Sequence, residues 1–175
     1  PSLPDGVEWT AVLVAAQRAA ESLSAVPALR DPLAEATVVQ LGLTLPGRAP
    51  RLDDMPGEMA GLSRLMGDMV TLRTLHNDRL LTEPAFDQIV LLGAGLDGRA
   101  YRLPWAGRNV FELDRGPILA LKEDLARAAG LEPTAERTPV AVDLAGDWPA
   151  ALTAAGFDPS RPTGWLAEGL TIFLD

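Results

Sequence analysis

A short apolar run that ends in a glycine turn places the strongest constraint on the fold. Residues 88–92 (Gln-Ile-Val-Leu-Leu) are followed at once by Gly93, Ala94 and Gly95. A continuous apolar run of this length is typical of a parallel strand that is buried on both faces. Glycines directly after such a strand allow the backbone to approach a ligand closely. The run therefore predicts the first strand of an α/β sheet, with a ligand-binding turn at its end.

Further strands alternate with helices after this turn. The patterns predict strands at 109–114, 138–143 and 163–168, and helices at 117–130 and 147–156. Pro139 is expected at the start of its strand, where its missing N–H does not interrupt the hydrogen-bond ladder. Strands and helices that alternate at this spacing favour a right-handed parallel α/β sheet.

The chain before this sheet has its apolar residues at helical spacing. Helices are predicted at 10–24 with Thr10 as N-cap, from Asp31-Pro32 to about residue 41, and at 58–83. Three prolines and two glycines at 45–57 predict a loop. We therefore expect two regions, an N-terminal helical cap over residues 1–84 and a sheet domain over residues 85–175.

Composition excludes several classes of function. The chain has 24 Asp and Glu against 15 Lys and Arg, a net charge of −9, which argues against a nucleic-acid partner. It has no cysteine and one histidine, His76, so disulfides, thiolate metal sites and His-rich metal sites are excluded. No apolar run approaches the roughly 20 residues of a membrane span, and no signal-peptide pattern opens the chain. We expect a cytoplasmic protein without a membrane partner.

Acidic residues follow the predicted strands at one edge of the sheet. Glu112 and Asp114 close the second strand, Asp143 closes the third and Glu168 closes the fourth. Ligands of open α/β sheets bind at the carboxyl ends of the strands. An acid after the second strand is well placed to accept hydrogen bonds from ribose hydroxyls, and an acid after the third from an adenine amino group. The simpler alternative is that each acid caps a following helix.

The glycine turn also fits a different cofactor. Gly93, Gly95 and Gly98 spell G-x-G-x-x-G, which would predict NAD or FAD and an oxidoreductase. Two features weaken that interpretation. Pro104 shortens any helix after the turn, and about ninety residues precede the first strand, whereas a dinucleotide domain begins close to it.

Several short motifs occur in an order that resembles a known family. They are Asp31-Pro32-Leu33-Ala34, Arg73-Thr74, 93–103 (Gly-Ala-Gly-Leu-Asp-Gly-Arg-Ala-Tyr-Arg-Leu), 112–114, 142–144 and 165–170 (Trp-Leu-Ala-Glu-Gly-Leu). From about residue 10 to its end, the chain resembles the leucine carboxyl methyltransferase-like family of class I S-adenosyl-L-methionine (AdoMet)-dependent methyltransferases, particularly its bacterial branch. The resemblance implies a Rossmann-like class I methyltransferase sheet with an N-terminal helical cap and with the C-terminal strands absent from this chain.

The resemblance implies AdoMet as the cofactor and gives its methionine part three contacts. Arg73 would pair with the methionine carboxylate, the turn Gly93-Ala94-Gly95 would cradle the methionine, and Glu168 would face the cofactor near the methyl group. Without the resemblance, Arg73 would be interpreted as one half of a salt bridge on a helix surface.

The adenosine part of the cofactor would lie on the next two strands. The resemblance implies that Asp114 holds the ribose, and that Asp143 and Leu144 hold the adenine. The chain departs from the family pattern at Gly98, where Thr or Ser is usual, and at Phe173, where Tyr is usual.

The implied activity is O-methyl transfer to a carboxyl or hydroxyl group of a small molecule, by in-line displacement without a metal. No catalytic residue is assigned. His76 lies three residues after Arg73 on one helix face and is a candidate base, although a lone histidine is more often structural. The alternatives are the oxidoreductase and a non-catalytic AdoMet-binding module. We expect a missing C-terminal portion or a second copy in a homo-oligomer to cover the edge of the fourth strand.

Overall fold

The computed structural model describes residue 3 and residues 9–43, 57–83 and 85–170. Most of the loop predicted at 45–57, and Phe173, lie outside these residues. The N-terminal region contains three helices, α1 (Trp9–Ser22), α2 (Pro32–Gln40) and α3 (Gly57–Thr82). The predicted N-cap at Thr10 is wrong, because the residue before it, Trp9, is already helical. The predicted cap of α2 is confirmed, since Asp31 Oδ1 accepts the Ala34 N–H at 3.0 Å.

The second region is one parallel sheet of four strands, which confirms the predicted α/β fold. Its strands are β1 (Gln88–Leu92), β2 (Asn109–Asp114), β3 (Glu136–Ala141) and β4 (Thr163–Ala167), in the order β3-β2-β1-β4. The crossover helices are α4 (Gly116–Ala128) and α5 (Trp148–Ala154). Leu92 lies opposite both Leu113 and Ala167, so the carboxyl ends of β1, β2 and β4 are level.

The two central strands, β1 and β2, are buried on both faces, as the apolar run at β1 predicted. Alternate residues of β1 and β2, such as Ile89 and Val110, pack into a core with α1, α2 and α4. The residues between them, such as Val90 and Phe111, pack on the other face against Leu152 of α5. The sheet is therefore a central layer that holds the strand ends in fixed positions.

The prediction that Pro139 stands at the start of its strand is wrong. Strand β3 begins at Glu136, and Pro139 lies within it, opposite Glu112 of β2. Among the described strands, β3 pairs only with β2. An edge strand tolerates proline because an N–H on its open side has no ladder partner to lose.

Two predictions about the regions stay open. Strand β4 pairs with β1 alone among the described strands, and Trp165 on it is exposed. The cover expected over this edge and the role of residues 1–84 as a cap stay predictions. In the described ranges, no helix is both long enough and apolar enough to span a membrane.

Candidate functional site

The glycine turn after β1 has the backbone that its sequence requires. Gly93 and Gly95 have φ angles of +64° and +43°, in the left-handed region that favours glycine. Ala94 between them is buried, and its N–H donates to the Leu113 carbonyl at 3.1 Å. This bond fixes the turn against the end of β2.

Asp114, the last residue of β2, reaches across to this turn. Its Oδ2 accepts the Gly95 N–H at 2.7 Å, and its Oδ1 accepts the Arg115 N–H at 2.7 Å. A carboxylate has about four lone-pair sites, so Asp114 retains acceptor capacity for a ligand. Its side chain is only half-buried, which leaves that capacity accessible at the edge of the sheet.

The third glycine of the literal G-x-G-x-x-G pattern packs against protein. A Cβ on Gly98 would overlap Asp31 Oδ1 and lie 2.9 Å from its Cγ, which explains why Thr or Ser is absent here. The residues that follow, Arg99–Tyr101, form a single 3₁₀ turn, where a dinucleotide fold has a long helix facing the pyrophosphate. The geometry therefore disfavours NAD or FAD.

Asp143 and Leu144 lie beyond the end of β3. Ala141 is level with Asp114, which puts Asp143 on the same edge, one strand further along. Asp143 is exposed, and its Oδ1 accepts the Ala145 N–H at 2.9 Å. Leu144 is partly buried against the core on the α5 face. This pair offers an acceptor beside an apolar surface.

Glu168 follows β4 at the other end of the edge, where three side chains hold it. Arg73 Nε donates to its Oε1 at 2.9 Å, and Asn77 Nδ2 donates to its Oε2 at 2.8 Å. Arg99 Nη2 also donates to Oε2, at 2.9 Å. Arg73 therefore lies at the predicted end of the edge and forms a salt bridge with Glu168, although 42% of its side chain is exposed.

Arg99 is the main site feature that sequence reasoning missed. Its side chain is 3% exposed and contacts three acids, namely Asp78, Asp97 and Glu168. Asp78 on α3 also accepts two hydrogen bonds from Arg102, at 2.6 and 2.9 Å. The available signal was the pair of arginines inside the 93–103 motif, spaced by three residues as on one side of a helical turn.

These contacts favour the ionised form of two carboxylates of the network, Glu168 and Asp97. Burial raises the pKa of Glu168, but Arg99, the Asn77 hydrogen bond and Arg73 outweigh it, so the pKa lies below its usual value. Burial also raises the pKa of Asp97, and the charge of Arg99 is the largest of the opposing effects that lower it overall. The Glu168 end of the edge is therefore a mixed-charge site.

Glu112 does not belong to this edge, contrary to the prediction. Glu112 lies two residues before the end of β2, on the face that α4 covers, and it is fully buried. Its Oε1 lies 2.8 Å from Lys122 Nζ, and its Oε2 lies 2.8 Å from Arg137 Nη2. It is the centre of a separate buried ion cluster.

The remaining candidates do not form a second site. His76 is exposed on α3, and its role as a base stays a prediction. Within the described part of the chain, no three His, Cys, Asp or Glu side chains are grouped as metal ligands would be.

The predicted residues thus form one row along the carboxyl edge. From β3 to β4, the row runs through Asp143 with Leu144, then Asp114, then the glycine turn, and ends at Glu168 with Arg73. Four strands spaced by about 4.8 Å make this row about 14 Å long. Such a row suits an elongated ligand that has hydrogen-bond donors along one part and charges of both signs at one end.

Comparison with known proteins identifies the family. The family model described as leucine carboxyl methyltransferase matches residues 11–175. The chain is 44% identical over 187 residues to a provisionally named S-adenosyl-L-methionine-dependent methyltransferase of Mycolicibacterium vanbaalenii, covering 98% of this chain and 60% of that protein. A protein of the same name from Mycobacteroides abscessus is 43% identical, again with 98% and 60% coverage. The chain thus spans about 60% of the length of these relatives, and it belongs to the leucine carboxyl methyltransferase family.

Proposed function

We propose that this chain binds AdoMet along the carboxyl edge of its sheet and acts in O-methyl transfer to a small-molecule acceptor. The observation that carries the proposal is the order of the row. Asp143, Asp114, the glycine turn and Glu168 follow one another from β3 to β4, in the order of the adenine, ribose and methionine parts of AdoMet. The names of the relatives support the same cofactor.

The adenosine half of the row fits its proposed ligand groups. Asp114 uses two acceptor sites on the backbone and retains others that can accept ribose hydroxyls. Asp143 can accept the adenine amino group, while Leu144 gives the flat ring an apolar contact.

The methionine half fits a zwitterion. The amino-acid end of AdoMet has a carboxylate and an ammonium group, and the site has Arg73 and Glu168 side by side. The ligand carboxylate would bind Arg73, and the ammonium group would bind Glu168. The salt bridge between Arg73 and Glu168 would thus be replaced by two salt bridges to the ligand. The left-handed turn at Gly93 and Gly95 permits the close backbone approach that this requires.

Bound AdoMet supplies an already activated methyl group. The protein then has to hold the acceptor oxygen in line with that methyl and exclude water. A carboxylate acceptor needs no base, whereas a hydroxyl acceptor does. Because the one histidine of the sequence, His76, is exposed on α3, the chain favours a carboxyl acceptor, with a hydroxyl acceptor as the second candidate.

Calorimetry with three ligands tests the cofactor. AdoMet and its demethylated product, S-adenosyl-L-homocysteine, should each bind at one site, and NADH should not bind. Binding of NADH without AdoMet would favour the oxidoreductase alternative. Binding of AdoMet without transfer to any of a set of carboxylic acids and alcohols would favour the non-catalytic module. A base-labile methyl product would identify an ester and hence a carboxyl acceptor.

A further inference from the structure

We infer that Arg99 is a positioning residue that holds the Glu168 carboxylate ionised and in place at the cofactor edge without contacting the ligand itself. This inference rests on the proposed function, because it concerns how the site receives the ammonium group of AdoMet. Arg99 has no role in the sequence-based assignment, which gives ligand contacts only to residues on the edge.

The first support is geometric. Arg99 lies in the 3₁₀ turn that follows the glycine turn, and its side chain is 3% exposed. Its Nε lies 2.7 Å from Asp78 Oδ1 on α3, its Nη1 contacts Asp97, and its Nη2 lies 2.9 Å from Glu168 Oε2. One planar guanidinium therefore links α3, the turn and the end of β4, and its orientation is fixed on all sides.

The second support is the balance of charge around Glu168. Arg73 and Asn77 face it from α3, and Arg99 and Asp97 face it from the turn. Arg73 is 42% exposed, so solvent screens its attraction, whereas the buried Arg99 is screened much less. Burial and Asp97 both raise the pKa of Glu168, and Arg99 is the largest effect that lowers it.

The third support concerns the bound state. In the proposed complex, the ligand carboxylate takes Arg73 as its partner and draws it away from Glu168. Of the two arginines that contact Glu168 here, Arg99 alone would then remain in contact with it. Without Arg99, Glu168 and Asp97 would face each other with little compensation, and like charges favour protonation of one of the two. A protonated Glu168 could not pair with the ammonium group.

The test measures affinity for S-adenosyl-L-homocysteine by calorimetry between about pH 6 and pH 8. The unaltered chain should bind with a nearly constant Kd. Arg99→Met should bind about tenfold or more weakly at the acid end of the range and recover part of that loss at the alkaline end. Adding Glu168→Gln to Arg99→Met should abolish this pH dependence, because the titrating group is then absent.

Arg99→Lys covers the case in which Arg99→Met does not fold. Lysine keeps the charge but cannot form the planar fork, so binding should weaken by about five- to tenfold with a flat pH profile. Arg79→Met, an arginine substitution on α3, is the matched control. Arg79 is 74% exposed and pairs with Glu83, so this variant should retain both the affinity and the pH profile of the unaltered chain.

The outcomes separate this inference from the proposed function. If the unaltered chain binds neither AdoMet nor its product, the proposed function fails. If the unaltered chain binds and Arg99→Met shows the same Kd across the pH range, only the role of Arg99 is overturned. Unchanged affinity in Arg99→Lys, where the methionine variant is unfolded, would also overturn it.

Discussion

The two halves of the candidate site are built in different ways. In the adenosine half, Asp114 and Asp143 follow their own strands, and each binds a backbone N–H one or two residues further along. In the methionine half, Glu168 is held by Arg73, Asn77 and Arg99, which lie 95, 91 and 69 residues away in the sequence. Apart from the bond from the Gly95 N–H to Asp114, the first half is a set of local acceptors, whereas the second is a charge network that exists only in the folded chain.

This difference predicts separate consequences for stability and for binding. The acids of the adenosine half are exposed or half-buried, so they contribute little to folding and remain available to a ligand. The methionine half includes buried charges that compensate one another, so its residues serve the fold as well as the ligand. Substitutions in the two halves should therefore have different effects.

The largest expected effect on folding is at Arg99. Arg99→Met leaves Asp97 and Glu168 without their shared buried partner, and should lower the free energy of unfolding by about 3–5 kcal/mol. Asp143→Ala, in the adenosine half, should change it by less than about 0.5 kcal/mol because the residue is exposed. Urea denaturation measures both variants. Similar losses in the two would remove the distinction between the halves.

The largest expected effect on binding alone is at Asp114. Asp114→Ala removes about two charge-assisted hydrogen bonds to the ribose, at about 1.5 kcal/mol each, so AdoMet affinity should fall about a hundredfold. Asp124→Ala, which removes an exposed acid paired with Arg127, is the control and should bind normally. Calorimetry on both variants gives the comparison. Unchanged affinity in Asp114→Ala would exclude the ribose role.

A substitution at Gly98 should have a smaller effect on stability, and it separates the AdoMet interpretation from the NAD or FAD interpretation. Gly98→Ala forces a methyl group onto Asp31, and should lower the free energy of unfolding by about 1–3 kcal/mol. AdoMet affinity should be nearly unchanged, because residue 98 faces α2 in this structure and lies away from the row. A stable variant that loses ligand affinity would instead show that Gly98 contacts the ligand.

The smallest expected effect is the pH dependence of the stability that Glu168, in the methionine half, contributes to the fold. The pKa of Glu168 is lowered in the folded chain, so the stability that it contributes is fully present above its unfolded pKa of about 4.3. That contribution is lost as the pH falls through the lower, folded value. The stability difference between the unaltered chain and Glu168→Gln should therefore shrink with falling pH in acid urea titrations. A constant difference between about pH 6 and pH 2 would contradict the lowered pKa.

The sequence predicted the parts of the fold and site that depend on local pattern. The glycine turn directly follows the apolar run of β1, and one acid lies at or shortly after the end of each of β2, β3 and β4. Their positions on one edge therefore follow from a parallel sheet. Glu112 was assigned wrongly because residues two apart on a strand share a face, and only the packing of α4 shows that this face is buried. The two arginines of the 93–103 motif were visible in the sequence, but their partners could not be predicted, because the packing of α3 against the sheet decides which arginine meets which acid.

Amide chemical shifts of ¹⁵N-glycine in the chain, titrated with S-adenosyl-L-homocysteine, test the central claim most directly. Gly93, Gly95 and Gly169 lie at the carboxyl edge of the sheet, and their signals should shift on binding. Gly107 and Gly156 also have positive φ angles but precede β2 and β4 at the opposite edge, so their signals should stay in place. Saturable binding that shifts the signals at the opposite edge and leaves Gly93 and Gly95 unmoved would contradict the proposed site.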